Sequence, residues 1–445
     1  MMRSRVFVVL AIMLLCCSGS HVFAQLGAQA TDLSDAAKTF VSTCEKGDFA
    51  AAVQPFDATM QKVMPAEKLR ATWQALIGQA GALKHQVRTR AMKAQGYDIV
   101  FVTCEFALVR VDVKVVFDAK KQIAGLFFLP ADTSIDYRSA PYARLTSFRS
   151  IEVTLGSGEW ALPGTMTLPQ GKGPFPALVL VHGSGPQDRD ETIGPNKPFR
   201  DLAEGLASQG IAVVRYEKRT HAYPQKMAKL KNLTVNEESV YDAVAAVKLL
   251  QNTPGIDPKR VFVLGHSLGG MILHRVVKLA PQVRGLISMA GGTRPLDKVI
   301  LEQSTYIASL DKKDSVENVK RIAAIRADLA RLHDPNITKT PETLIMGASV
   351  HYLLDINTIN PPRDAMRLTQ PMLILQGGKD YQVTEVDFAN WKSALSGRKD
   401  VTFKFYPNLF HLFMPGNKTP ADYEKPAHVE KHVVDDIATW IKGVR

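Results

Sequence analysis

Gly265-His266-Ser267-Leu268-Gly269 sets a serine hydroxyl between two glycines, directly after the apolar run Val261 to Leu264. Met271 to Leu279 then reads as a helix. A strand that turns abruptly into a helix lifts the residue at the turn into the open, and glycines permit so sharp a bend. The chemistry this suits is nucleophilic attack by Ser267. A serine hydroxyl is a weak nucleophile; it needs a base, and the base needs a third group to orient it.

The other two members are sought downstream, in the order serine, acid, histidine. Pro371 to Gln376 is an apolar strand, followed by Gly377-Gly378-Lys379-Asp380. Asp380 thus lies just past a strand's C-terminal end, where ligands collect in open parallel sheets. Asp387, inside an expected helix, and Asp400, before a strand, are rivals. Of the three later histidines, His411 follows the last strand in Pro407-Asn408-Leu409-Phe410-His411, which puts it on the same rim. His428 and His432 stand four apart near the start of the final helix. They are read as a solvated helix start, with no third metal ligand in view. The oxyanion of the tetrahedral intermediate needs donors. The backbone N–H of Leu268 supplies one, and His182-Gly183-Ser184-Gly185 supplies the other through Ser184. This chemistry calls for no metal or organic cofactor.

These residues need a scaffold that brings strand ends together. From residue 150 the chain alternates strands and helices, the pattern of a mainly parallel sheet. The expected strands are Ile151–Leu155, Gly164–Leu168, Ala177–His182, Ile211–Tyr216, Arg260–Gly265, Gly285–Ala290, Met372–Gln376 and Thr402–Tyr406. Thr234 and Glu237 form a capping-box pattern opening a helix over Asn236 to Leu250. Residues 294–367 interrupt the alternation with helical patterns at Ile300–Leu310, Val316–Leu332 and Thr343–Leu354, and are read as a helical cap over the site. Asp188-Arg189-Asp190 and Glu217-Lys218-Arg219 follow two of the strands. They either line the pocket or hold its rim together by ion pairs.

Upstream, residues 31–132 read as a small α+β domain: three helices, then strands at Tyr97–Phe106, Leu108–Phe117 and Ile123–Leu129, a cone-shaped sheet wrapped on a helix. Residues 133–149, which carry Ser134, Pro141 and Ser147, read as a linker. Residues 1–24 carry Arg3 and Arg5, a twelve-residue apolar run and Val22-Phe23-Ala24, the pattern of a signal peptide cut after Ala24. Twelve residues fall short of the ~20 that span a bilayer. The mature chain is therefore expected in the periplasm or secreted, without membrane insertion. Export would allow Cys44 and Cys104 to bridge; burial as two free thiols is the alternative.

The 445 residues are 46% hydrophobic and 22% charged, which excludes a disordered chain and allows an enzyme-sized core. The net charge of +12 is spread out with no run of five basic residues, so nucleic acid is not an expected partner. Oligomeric state is not legible.

Taken together, the stretch from His182 to Asp190, Arg215 to Arg219, the turn around Ser267, Gly377 to Asp380, and His411 resemble the exported bacterial α/β-hydrolases of the serine-aminopeptidase-like and dienelactone-hydrolase-like groups. Residues 31–132 resemble a small domain of unassigned function that precedes some of them. The resemblance implies an α/β-hydrolase fold with a helical cap insertion and a Ser267-Asp380-His411 triad. The expected function is hydrolysis of carboxylic esters of small or medium substrates through an acyl-enzyme. Two alternatives are a peptidase with the same triad, acting on short peptides, and a cell-envelope binding protein with vestigial hydrolysis.

Overall fold

The computed structural model describes residues 30–444, apart from 95, 108, 132–136, 311–315, 339 and 341–342. The expected signal peptide lies outside the described residues. Two compact units divide between residues 133 and 134.

In the first unit the helix Ala30–Glu45 buries Ala37, Phe40, Val41 and Cys44. They join Trp73, Phe106 and Phe117 in one core. The sheet is an antiparallel meander, β1 (Leu83–Ala94), β2 (Tyr97–Phe106), β3 (Arg110–Phe117) and β4 (Ile123–Pro130), in that spatial order. Three of these strands follow the apolar patterning, and β1 is an addition. It carries Lys84, Arg88, Arg90 and Lys93 and none of its residues is fully buried, the profile of a charged edge strand. Cys44 and Cys104 are both buried free thiols.

The second unit is built on an eight-stranded sheet. Its strands are β5 (Phe148–Leu155), β6 (Leu162–Pro169), β7 (Phe175–Val181), β8 (Ala212–Tyr216), β9 (Ile256–His266), β10 (Gly285–Met289), and two more after the insertion. The insertion carries a short hairpin, β11 (Leu344–Ile345) and β12 (Ala348–Ser349), and the sheet resumes with β13 (Met372–Gly377) and β14 (Val401–Tyr406). The spatial order is β14-β13-β10-β9-β7-β8-β6-β5. The ladders from β14 to β8 are parallel, and β6 pairs antiparallel with both β8 and β5. Parallel strands covered on both faces read as continuous apolar runs. Ala177 to Val181 and Leu286 to Met289 are such runs and are buried throughout. One face packs under Val247, Leu250, Ile272, Val276, Trp391 and Leu395. The other packs under Phe199, Leu202, Leu206, Val433, Ile437 and Ile441.

Two boundaries differ from expectation. The second half of the expected linker packs onto this unit: Tyr137 donates to Asp201 (2.6 Å) and Tyr142 to the Val429 carbonyl (2.7 Å). The insertion is helical at Leu296–Leu310, Val316–Ala330 and Val350–Asn357, but residues 344–349 are the hairpin and not the start of a helix. Met346 and Gly347, both at positive φ (51° and 80°), form its two-residue turn. Leu329, Leu332, Ile345, Val350 and Leu353 give the insertion a core of its own, while Ile356, Ile359 and Ala365 belong to the main sheet's core.

Candidate active site

The five residues singled out in sequence all follow C-terminal ends of parallel strands: Ser184 after β7, Ser267 and Leu268 after β9, Asp380 after β13 and His411 after β14. Ser267 sits at φ 53°, ψ −115°, a conformation L-residues avoid, in a turn followed by helices at Leu268–Met271 and Leu273–Leu279. A Cβ on Gly265 would overlap the Gly269 carbonyl, and one on Gly269 would overlap the Val181 carbonyl, so both flanking glycines are required by close backbone contact. The Ser267 N–H donates to the Met289 carbonyl at 2.9 Å, which fixes the turn against β10.

His411 Nδ1 lies 2.6 Å from Asp380 Oδ2, and both side chains are buried. The other carboxylate oxygen, Oδ1, accepts the N–H groups of Gln382 (2.7 Å) and Val383 (3.0 Å). Facing a carboxylate, Nδ1 carries the ring proton, which leaves Nε2 as the basic nitrogen. The two loops are also stitched together directly, because the Lys379 N–H donates to the Leu409 carbonyl at 2.8 Å. The rival carboxylates are engaged elsewhere. Asp387 caps its own helix and accepts from Thr293 and Arg294, and Asp400 pairs with Arg398.

The Gly183 N–H donates to Glu191 Oε1 at 2.7 Å, so it is not available to a substrate. The N–H groups of Ser184 and Leu268 have no acceptor among the described residues. Gly183 abuts Ser267: a Cβ on it would stand 3.2 Å from the Ser267 Cβ.

The charged runs form the rim's ion-pair network. Arg189 bridges Glu152 (2.6 Å) and Glu217 (2.7 Å), Asp190 pairs with Lys197 (3.3 Å) and with Arg215, and Arg219 pairs with Asp242. Lys218 is fully buried; its Nζ lies 2.8 Å from the Gly183 carbonyl and 3.0 Å from Glu238. His428 and His432 diverge: the first bonds Asp201 (2.9 Å), the second faces Glu430 and the Tyr406 ring. Two residues of this neighbourhood escaped the sequence reading. His266 lies inside the glycine turn and pairs with Glu191, Nδ1 to Oε2 at 2.9 Å, while its Nε2 lies 3.0 Å from the His411 carbonyl. Glu191 looks like one more charge in a polar run, and nothing in the residue types marks it as buried.

Residues 177–417 match the family described as serine aminopeptidase, S33. The chain belongs to that family. This S33 hydrolase is also 37% identical over 404 residues to Esterase EstD of Thermotoga maritima, a match covering 90% of this chain and 93% of that one. Esterase FrsA of Klebsiella pneumoniae is 27% identical over 147 residues, about a third of either chain (33% and 32%). Residues 37–126 match a family described as a protein of unknown function, DUF3887. Among solved structures, an esterase of Pyrococcus furiosus superposes with a TM-score of 0.45 at 15% identity, over 67% of this chain and 92% of that one. A dienelactone hydrolase of Klebsiella pneumoniae described as putative superposes at 0.38 and 17% identity, over 66% and 99%. The S33 chain is accordingly a serine hydrolase with the α/β-hydrolase fold, preceded by the DUF3887 sheet domain.

Proposed function

We propose that the protein hydrolyses carboxylic esters of small or medium size, with Ser267 as nucleophile, His411 as general base and Asp380 as the group that fixes the imidazole. The observation that carries this reading is the buried 2.6 Å contact between His411 Nδ1 and Asp380 Oδ2, on the same rim as a serine held in a strained turn. His411 Nε2 takes the Ser267 proton as Oγ bonds to the ester carbonyl carbon. The oxyanion that forms accepts from the Ser184 and Leu268 N–H groups. Collapse breaks the carbon–oxygen bond to the alcohol, which leaves with the proton from His411. Water then attacks the acyl-enzyme with the same base, and the free acid departs. Asp380 stays ionised throughout and holds the Nδ1–H tautomer.

The S33 family description favours one second reading, cleavage of peptide bonds by the same triad. The extended identity with an esterase favours esters. Purified protein is compared on p-nitrophenyl esters and on aminoacyl p-nitroanilides. Ester turnover at least a hundredfold faster in kcat/KM supports the first reading, and the reverse ratio rejects it. We also infer that residues 1–24 direct export and that the mature chain works in the periplasm or outside the cell.

A further inference from the structure

We propose that Glu191 and His266 form a buried positioning pair which holds the loop of Ser184, the turn of Ser267 and the loop of His411 in mutual register, and that acylation of Ser267 depends on this bridge. The proposal rests on the triad reading above.

The bridge runs through three loops by way of two side chains. Glu191 Oε1 accepts the Gly183 N–H (2.7 Å), and its Oε2 lies 2.9 Å from His266 Nδ1. His266 Nε2 lies 3.0 Å from the His411 carbonyl oxygen. A carbonyl only accepts, so Nε2 carries a proton and donates. The rings of His266 and His411 also lie against each other, centroids 4.6 Å apart. Neither side chain of the pair reaches solvent, with exposures of 2% for Glu191 and 4% for His266. Glu191 adopts positive φ (51°), a conformation a glutamate takes only where the surroundings impose it.

The two charges support each other. Burial alone would push the Glu191 carboxyl up, yet the His266 charge beside it holds it below the usual carboxylate range. Burial alone would pull His266 down, and the Glu191 carboxylate raises it instead. Both ring nitrogens of His266 lie within 3.0 Å of acceptor oxygens, which suits an imidazolium beside a carboxylate, and removing either side chain outright leaves the other buried without its partner.

The functional weight falls on Gly183. Its N–H is held by Glu191 and its carbonyl by Lys218, so this residue is clamped at both ends next to Ser267. The following N–H, that of Ser184, takes its direction from that clamp. On the other side, the same imidazole holds the backbone of the base. A donor or base displaced by an ångström loses on the order of 100-fold in rate.

The experiment uses the full chain and measures the second-order rate of Ser267 phosphonylation, together with kcat and KM on p-nitrophenyl acetate and the thermal midpoint of each variant. Glu191→Asp keeps the charge but is too short to reach both partners. Glu191→Gln loses the charge but can still accept from Gly183 and donate to Nδ1 of a neutral His266. The bridge requires Glu191→Asp to lose about 100-fold in phosphonylation rate and kcat, with KM within roughly threefold, and Glu191→Gln to stay within about tenfold of the parent. His266→Ala should fall as far as Glu191→Asp, and the double variant should be little worse than either. A fully active Glu191→Asp, or a Glu191→Gln as slow as Glu191→Asp, overturns the proposal. Because Glu191→Gln conserves shape and hydrogen bonds, its comparison with Glu191→Asp stands even if His266→Ala does not fold. Phosphonate found on another serine in the parent would instead overturn the triad reading.

Discussion

The ring of Tyr306, in the insertion, stacks on the ring of Tyr381 with centroids 5.7 Å apart and an interplanar angle of 21°. Tyr381 is the residue after Asp380, so the insertion touches the acid loop itself. Gln303 reinforces the contact by donating to the Gln382 carbonyl at 2.9 Å, and Tyr306 donates to the Lys418 carbonyl at 2.8 Å. The insertion is thus anchored beside Asp380 by a few side chains.

A point variant tests the cap better than a deletion, because Ile356, Ile359 and Ala365 belong to the main core. An aromatic pair is worth ~0.5–1.5 kcal/mol, so Tyr306→Ala should change the ratio of long-chain to acetyl ester kcat/KM by roughly three- to tenfold. The acetyl rate itself should move less than twofold. An unchanged chain-length profile would show that the insertion does not read the acyl chain.

Ser267→Ala and His411→Ala should each lower kcat by about 10⁴-fold or more, and the double variant by little more, because the members act as a unit. Asp380→Asn should cost a similar factor by presenting the wrong tautomer. Additive losses, or full ester turnover by Ser267→Ala, would place the chemistry elsewhere.

His182 supplies a pH test of stability. Burial drives its pKa down to about 4, and its Nε2 lies 3.0 Å from the Asp188 carbonyl. The unfolded chain takes up this proton near pH 6.5, the folded chain only near 4. This contribution is therefore complete above about pH 6.5 and is lost as the pH falls toward 4, by about 3 kcal/mol in all. His266, whose folded value is raised, contributes stability that is lost only above about pH 6.5, so it does not mask the slope. Urea unfolding from pH 7.5 to 4.5 should show a slope that His182→Gln shallows by about one proton. Equal slopes would rule out a neutral His182.

Cys44 and Cys104 are buried, and burial pushes both thiols up to about 12. The thiolate is the reactive form, so neither should react with a disulfide reagent at pH 8 until the protein unfolds. A raised thiol pKa stabilises the fold below the unfolded value near 8.5 and ceases to as the pH climbs toward 12. Rapid labelling of the native protein would contradict this.

On the export reading proposed above, the mature chain should begin at Gln25 and titrate as two thiols after unfolding, because cleavage there would remove Cys16 and Cys17. Amino-terminal sequencing that finds Met1, or a lipid on either early cysteine, would refute cleavage after Ala24.

Strands β7, β9, β10 and β13 of the hydrolase sheet were legible because buried parallel strands carry unbroken apolar runs. Ser267 and Asp380 stood out because each follows such a run at a glycine turn, and His411 because it is the histidine directly after the last strand. β1 was hidden because an edge strand guarded by Lys84, Arg88, Arg90 and Lys93 has no apolar face to announce it. The hairpin at Leu344–Ser349 was hidden because its apolar residues also fit a helical period, and only the positive φ of Met346 and Gly347 separates the two. Glu191 and His266 were hidden most deeply. A charge is read as solvated unless its partner is known, and these two partners stand 75 positions apart.

The backbone of Ser267 has a consequence for how this protein responds to selection. Holding a serine at φ 53° costs on the order of 1–3 kcal/mol, a cost that glycine would largely escape. Ser267→Gly should therefore melt several degrees higher than the parent while being inert. Heat resistance and turnover pull in opposite directions at this one position. A library screened for survival at high temperature alone would enrich dead enzyme, and thermal selection of this protein has to be coupled to an activity readout.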